Sequence, residues 1–139
     1  MDLMLTDKVT LLSGGSRGIG FQIAKDLAAE GSHLVISARG ADQLMQAVDE
    51  INGQKKGRAI GFVGDVTRMG IPEAFVQKAL DSFGGVDILV NSVGAGSPKI
   101  LFDSTDEDWQ QSFELNLFTA VRLSRLIVPE MKKGEGASF

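Results

Sequence analysis

The sequence contains no cysteine and only one histidine, His33. Without cysteine there can be no disulfide and no thiolate metal site, and a single histidine argues against a histidine-based zinc site, so we expect no metal. Asp and Glu outnumber Lys and Arg by 18 to 14, which gives a net charge of −4. Because nucleic-acid-binding proteins present a basic face, this charge predicts no nucleic-acid partner.

Long apolar runs are also missing. No stretch approaches the roughly 18 residues that span a bilayer, and the N-terminal MDLMLTDK lacks the basic and apolar segments of a signal peptide. We therefore expect a cytoplasmic protein with no membrane partner. The 139 residues suit one domain, and the 43% hydrophobic content is enough for a buried core.

Apolar stretches of strand length alternate with segments of helical period. Strands are predicted at 8–13, 33–38, 59–63 and 86–91, and helices at 18–30, 41–51, about 72–83 and 106–132. The last helix is expected to bury one face, formed by Trp109, Phe113, Leu117, Ala120, Ser124 and Ile127. A fifth strand could open at 137–139. Strict alternation predicts an α/β fold, in which helices cover both faces of a parallel sheet.

The connection between the first strand and the first helix is rich in glycine. Glycine lets a backbone approach phosphate groups, and a helix N-terminus supplies free N–H groups and the positive end of a dipole. The loop therefore predicts a site for a nucleotide pyrophosphate, the alternative being a glycine-rich turn without a ligand. The residues expected at this site are Ser13, Gly14, Ser16, Arg17, Gly18, Ile19 and Gly20.

The spacing Gly14-x-x-x-Gly18-x-Gly20 resembles the TGxxxGIG motif of the short-chain dehydrogenases/reductases, with Ser13 in place of the threonine. Three more motifs follow in the family's order. They are Asp65-Val66, similar to the segment whose aspartate contacts adenine, Asn91-Ser92-Val93-Gly94, similar to NNAG, and Asn116, at the position of the catalytic-helix asparagine. The resemblance covers essentially the whole chain.

This resemblance implies a Rossmann-like, doubly wound parallel sheet, truncated here after about four strands and four helices. Residues 1–139 would then be the N-terminal part of a single NAD(P)-binding domain. Each later motif also has a plainer interpretation. Asp65 could start a turn before Thr67, Asn91 could join neighbouring loops, and Asn116 could be a satisfied structural asparagine instead of a water-holding link in a proton relay.

The end of the second strand bears on the choice of cofactor. Sites that prefer NAD usually carry an acid there for the ribose 2′-hydroxyl, whereas this sequence has Ala38 followed by Arg39. Arg39 and Arg17 could pair with a 2′-phosphate, so NADP(H) is favoured over NAD(H). Two alternatives stay open: Asp42 could reach the ribose, or either arginine could be a solvated surface charge.

The family transfers hydride between a nicotinamide and a carbonyl or alcohol, which implies an Asn-Ser-Tyr-Lys tetrad. Asn116 is the one expected catalytic residue, because the sequence contains no tyrosine and Ser138 stands at the start of a predicted strand. The complete protein is predicted to be an NADP-dependent enzyme for a small molecule, with a 3-oxoacyl thioester as one candidate, and a homo-oligomer. The 139 residues alone are predicted to be inactive. The alternatives are a non-catalytic dinucleotide-binding module and an inactive fragment.

Overall fold

The computed structural model describes residues 2–131 and residue 133, and these form a four-stranded parallel sheet with helices on both faces. The strand order is β3-β2-β1-β4. The strands are β1 (Val9–Ser13), β2 (His33–Ala38), β3 (Ala59–Val63) and β4 (Ile88–Asn91). The helices are α1 (Gly18–Ala29), α2 (Ala41–Asn52), α3 (Ile71–Phe83), α4 (Asp106–Phe113) and α5 (Thr119–Met131). The prediction of a doubly wound α/β fold is confirmed.

The sheet separates two apolar cores. Successive strand side chains point to opposite faces, so Leu11 packs in the core with α3 and α5, while Leu12 packs in the core with α1 and α2. Both leucines are fully buried, as parallel strands covered on both sides require. The helices cover the two faces and leave the carboxyl ends of the strands uncovered. The strand-to-helix loops meet at these ends.

Glycine follows the ends of two helices. After α1, Gly31 has a φ of 91°, and after α3, Gly84 has a φ of 81°, a left-handed conformation that glycine adopts without a Cβ clash. The predicted bounds of β2 and β3 are confirmed. Strand β4 begins at Ile88 and not at 86; just before it, the Asp87 carboxylate accepts the Val9 N–H at 2.8 Å. The predicted strand at 137–139, with Ser138, lies outside the described residues.

The long helix predicted over 106–132 is helical from Asp106 to Met131, but it is not α-helical throughout. A π-helical segment, Glu114–Phe118, separates α4 from α5. The expected buried face is wrong in its first half, since Trp109, Phe113 and Leu117 are 48%, 50% and 46% exposed. Neither α4 nor the π segment contains a buried residue, so the core-facing positions of this helical stretch begin at α5, after the π turn has rotated the helix phase by about 100°. Those positions are Thr119, Leu123 and Ile127.

Candidate cofactor and catalytic site

The glycine loop lies where β1, β2 and β4 end together. Ser13 pairs in register with Asn91, and the N–H groups of Gly14 and Gly15 both donate to the Ser37 carbonyl, at 3.0 and 3.2 Å. Gly14 has a φ of 81°, and a Cβ there would lie 3.0 Å from the Ser92 carbonyl oxygen. The loop is therefore pressed between β2 and the segment after β4, with no room for a side chain at this position.

The first turn of α1 is open to a ligand. Arg17 is the N-cap residue, its side chain makes no capping hydrogen bond, and the turn contains no acid. Arg17, Gly18 and Ile19 are exposed, and a Cβ at Gly18 would meet nothing within 4 Å. The unpaired N–H groups and the positive end of the helix dipole favour an anion at this position.

Gly20 is the point at which α1 approaches the loop most closely. A Cβ on Gly20 would lie 2.2 Å from the Gly14 carbonyl oxygen and 2.8 Å from the Ser92 Oγ. Only glycine permits this packing, which places the α1 N-terminus directly over the ends of β1 and β4. The serine that precedes the loop faces inward, because the buried Ser13 hydroxyl donates to the Val90 carbonyl at 3.4 Å.

A cavity of about 420 Å³ lies beyond the ends of β2 and β3. Arg39 and Asp65 contribute its charged side chains from the sheet, whereas Arg17 does not line it. The wall opposite the sheet comes from α4 and the π segment. The lining residues are Arg39, Asp65, Thr67, Gln110, Gln111, Glu114 and Leu115.

Asp65 starts a turn before Thr67, as its plainer interpretation predicts, and it also lines this cavity. Its Oδ1 accepts hydrogen bonds from Thr67 Oγ1 at 2.7 Å and from the Thr67 N–H at 3.1 Å. The Thr67 hydroxyl, followed by the Thr67 N–H and the nearby Arg39 and Arg68 cations, lowers the pKa of the Asp65 carboxyl. The carboxylate is thus ionised and oriented at neutral pH. Val66 is buried in the core, so only its backbone faces the site.

Asn116 is joined to the loop that follows β4. Its Oδ1 accepts from the Ala95 N–H at 3.0 Å, and its Nδ2 donates to the Ala95 carbonyl at 3.0 Å. The second Nδ2 hydrogen is directed at Ser112, whose carbonyl and Oγ lie at 3.0 and 3.3 Å. A Cβ on Gly94 would come within 2.9 Å of the Asn116 Oδ1. Two hydrogen bonds of this amide therefore hold the loop against the helix.

A second cavity, of about 320 Å³, lies one helical turn from Asn116. Lys99 Nζ donates to both Asp108 carboxylate oxygens, at 2.9 and 2.7 Å. This ion pair, with the Thr105 N–H, lowers the pKa of Asp108 to about 2. Asp108 also completes a capping box with Thr105 at the start of α4. The other lining residues are Ser97, Leu101, Ser104, Trp109 and Ser112.

These features define a nucleotide-binding α/β protein of the Rossmann type: a parallel sheet in the order 3-2-1-4, a glycine loop after β1, and an open helix N-terminus above it. The chain belongs to the short chain dehydrogenase family, which it matches over residues 8–138.

Relatives found by sequence and by structure agree on the family. The chain is 38% identical over 135 residues to the 7alpha-hydroxysteroid dehydrogenase of Escherichia coli, covering 97% of this chain and 52% of the relative. It is 36% identical over 131 residues to the uncharacterized oxidoreductase YvrD of Bacillus subtilis, covering 94% of this chain and 49% of the relative.

Among solved structures, the L-sorbose reductase of Gluconobacter frateurii, complexed with NADPH and L-sorbose, superimposes with a TM-score of 0.91 at 39% identity. That match covers 96% of this chain and 51% of the reductase. A 7 alpha-hydroxysteroid dehydrogenase complexed with NADH superimposes with a TM-score of 0.88 at 38% identity, over 93% of this chain and 50% of the other. The chain spans about half the length of the relatives it matches.

Several residues that build the site were not predicted from the sequence. Ser37 and Ser112 act through backbone carbonyls, and no sequence pattern marks such roles. Thr119 is different, because a polar residue on the buried face of α5 is a detectable exception to the apolar pattern.

Proposed function

We propose that this chain is the cofactor-binding part of an NADP-dependent oxidoreductase that acts on a carbonyl or alcohol. The observation that carries the proposal is the open α1 N-terminus beside a loop in which Gly14 and Gly20 leave no room for a Cβ. Backbone N–H groups there would hold a pyrophosphate, and the cavity with Arg39 and Asp65 would hold the adenosine end. When bound, the nicotinamide would supply or accept the hydride.

The proposed preference for NADP(H) rests on charge at the end of β2. Ala38 offers no carboxylate to a ribose 2′-hydroxyl, and the exposed Arg39 lines the cavity in which that ribose would lie. A guanidinium can form two charge-assisted hydrogen bonds with a phosphate. Arg17, at the α1 N-cap, does not line this cavity, so the proposed preference rests on Arg39. Among the relatives both cofactors occur, NADPH in one structure and NADH in another.

At the reacting end, we assign Asn116 to positioning. Its side chain holds Ala95 through two hydrogen bonds, which keeps the segment after β4 against the helix. Because both Nδ2 hydrogens and one Oδ1 lone pair are engaged, a water in the proposed proton relay would have to donate to the second Oδ1 lone pair or bind the Asn116 backbone. The sequence contains no tyrosine, so we predict cofactor binding without turnover by these 139 residues. A 3-oxoacyl thioester stays one candidate substrate, and a cytoplasmic location stays a prediction.

We propose that the complete enzyme is a homo-oligomer that uses the apolar stripe along α4 and α5. The stripe consists of Trp109, Phe113, Leu117 and Val121, each 45–50% exposed. Acidic residues crowd the first turn of α4, while Arg125 lies near the other end of the stripe. A second copy packed antiparallel would therefore place acids beside bases along an apolar contact.

Cofactor titration of the purified chain tests the proposal. We expect NADPH to bind more tightly than NADH in calorimetry. The Arg39→Ala variant should weaken NADPH binding by roughly 10- to 100-fold, the worth of charge-assisted hydrogen bonds, and NADH binding far less. Lys56→Ala is the matched control, because it removes one exposed cation from the amino end of β3, opposite the site.

Each result has a definite consequence. Equal weakening of both cofactors by Arg39→Ala would contradict the NADP preference. Tight cofactor binding, with no activity even in the complete gene product, would favour a non-catalytic binding module. No binding of either cofactor would favour an inactive fragment. The intact mass of the native gene product decides whether further residues, with a tyrosine and a lysine four positions later, complete the site.

A further inference from the structure

The π-helical segment Glu114–Phe118 contains Asn116 and is held by two interactions that a regular α-helix would not make. The first involves the hydroxyl of Thr119, a residue that is 2% exposed. This hydroxyl donates to the Glu114 carbonyl, five residues back, at 3.0 Å. In the π turn this carbonyl also accepts the Thr119 backbone N–H, so the hydroxyl adds a second hydrogen bond to the same i→i+5 closure.

The second interaction is a two-pronged ion pair across the segment. Arg122 Nη1 donates to Glu114 Oε1, and Arg122 Nη2 donates to Glu114 Oε2 at 3.3 Å. The Arg122 guanidinium also lies 5.9 Å from the Phe118 ring centroid. The pairing lowers the pKa of Glu114 and raises that of Arg122.

Helix geometry links this ion pair to the π turn. Residues eight apart on a regular α-helix are displaced by about 80° around the axis, whereas one inserted residue reduces the displacement to about 20°. Glu114 and Arg122 therefore share a face because of the π turn. Formation of the pair favours the π register over a straight helix.

The same register decides where Asn116 points. On an uninterrupted helix Asn116 would lie within about 20° of Leu123 and Ile127, both fully buried in the core. In the structure Asn116 is exposed and its amide reaches Ala95. The rotation by the π turn takes this amide out of the core-facing row and brings it to the loop after β4.

We propose that Thr119 and the Glu114–Arg122 pair are positioning residues for the site, which hold the π register and thereby place Asn116 on Ala95. The proposal rests on the proposed function in one respect only, namely that the reaction takes place beside the loop that Asn116 holds at Ala95. The contacts of Thr119, Glu114 and Arg122 with the π-helical segment do not involve the cofactor.

Hydrogen exchange of the backbone amides, measured by NMR on the 139-residue chain, tests the proposal. Thr119→Val keeps the shape and removes the donor, while Thr119→Ser keeps the donor and is the rescue control. We expect Thr119→Val to speed exchange at the Ala95 amide by roughly tenfold, the effect of losing about one hydrogen bond, and to shift the Asn116 side-chain NH₂ resonances. Thr119→Ser should stay within about twofold of the parent.

Arg122→Met gives an independent variant if Thr119→Val fails to fold, and it should raise the Ala95 exchange rate in the same direction. Unchanged Ala95 exchange in the folded variants would overturn the proposal. So would an equal rise at Leu11 and Val35 in the sheet, since that pattern indicates general loss of stability. Titration of NADPH in the same samples separates the two proposals: failure of the parent to bind would remove the proposed function and leave the exchange result intact.

Discussion

Replacement of Gly20 by alanine is the most direct test of the glycine loop. The new Cβ would lie 2.2 Å from the Gly14 carbonyl oxygen, which is backbone, and 2.8 Å from the Ser92 Oγ, which can rotate away. The loop or the start of α1 must therefore move. Alanine would gain about 0.5–1 kcal/mol over glycine inside a helix, whereas overpacking of this kind costs about 1–3 kcal/mol.

The expected net effect is a loss of about 1–2 kcal/mol in the free energy of unfolding. For a chain of this size that corresponds to a fall in Tm of roughly 3–10 °C, measurable by circular dichroism. Because the clash moves the carbonyl of Gly14, NADPH affinity should fall as well. Gly85→Ala is the matched control, since a Cβ there meets nothing within 4 Å and Gly85 has no positive φ.

Gly85→Ala should leave Tm unchanged or raise it slightly, because alanine restricts the unfolded chain. If Gly20→Ala melts at the same temperature as Gly85→Ala and binds NADPH like the parent, close packing of α1 on the loop does not limit either property. That result would refute the steric reasoning for Gly20.

Three further predictions concern other parts of the chain. Asp108 should titrate at about 2 in a carboxyl-carbon NMR experiment; its lowered pKa stabilises the fold above the ordinary value of 3.8, and this contribution is lost as the pH falls towards 2. Lys99→Met should return the midpoint towards 3.8, and an unmoved midpoint would show that Lys99 is not the cause. Asp87→Ala should lower the free energy of unfolding in urea by about 1–2 kcal/mol, because the Val9 N–H loses its acceptor at 2.8 Å; no change would mean that water replaces the carboxylate. Trp109→Gln should reduce self-association in sedimentation velocity with little effect on Tm, since Trp109 is 48% exposed; an unchanged distribution of species would count against the stripe as the oligomer contact.

Much of the fold could be predicted because its determinants are local. The residues of β2 and β3 form short apolar runs, and Gly31 and Gly84 end helices through their own backbone conformation. The capping box of Thr105 and Asp108 likewise depends on residues three apart. Such signals act within one turn of chain, so a sequence displays them directly.

The long helix shows the limit of periodicity. A period of 3.6 residues predicted a single buried face from Trp109 to Ile127, but the π turn shifts the phase midway. This turn is stabilised by Thr119 and by Arg122, eight residues from its partner Glu114. A prediction made with a uniform repeat of 3.6 residues cannot locate a π turn, because the π turn changes that repeat.

By itself, the sequence determined the alternation of strands and helices, the glycine loop at the first strand-to-helix junction, and the absence of an acid at Ala38. These depend on residue type and on short spacings along the chain. Only the tertiary structure decided that Gly14 must lack a side chain because the Ser92 backbone lies against it, and that the Asn116 amide is bonded to Ala95. The reason is physical: these contacts join segments brought together by the packing of separate elements, over distances at which sequence spacing carries no geometric information.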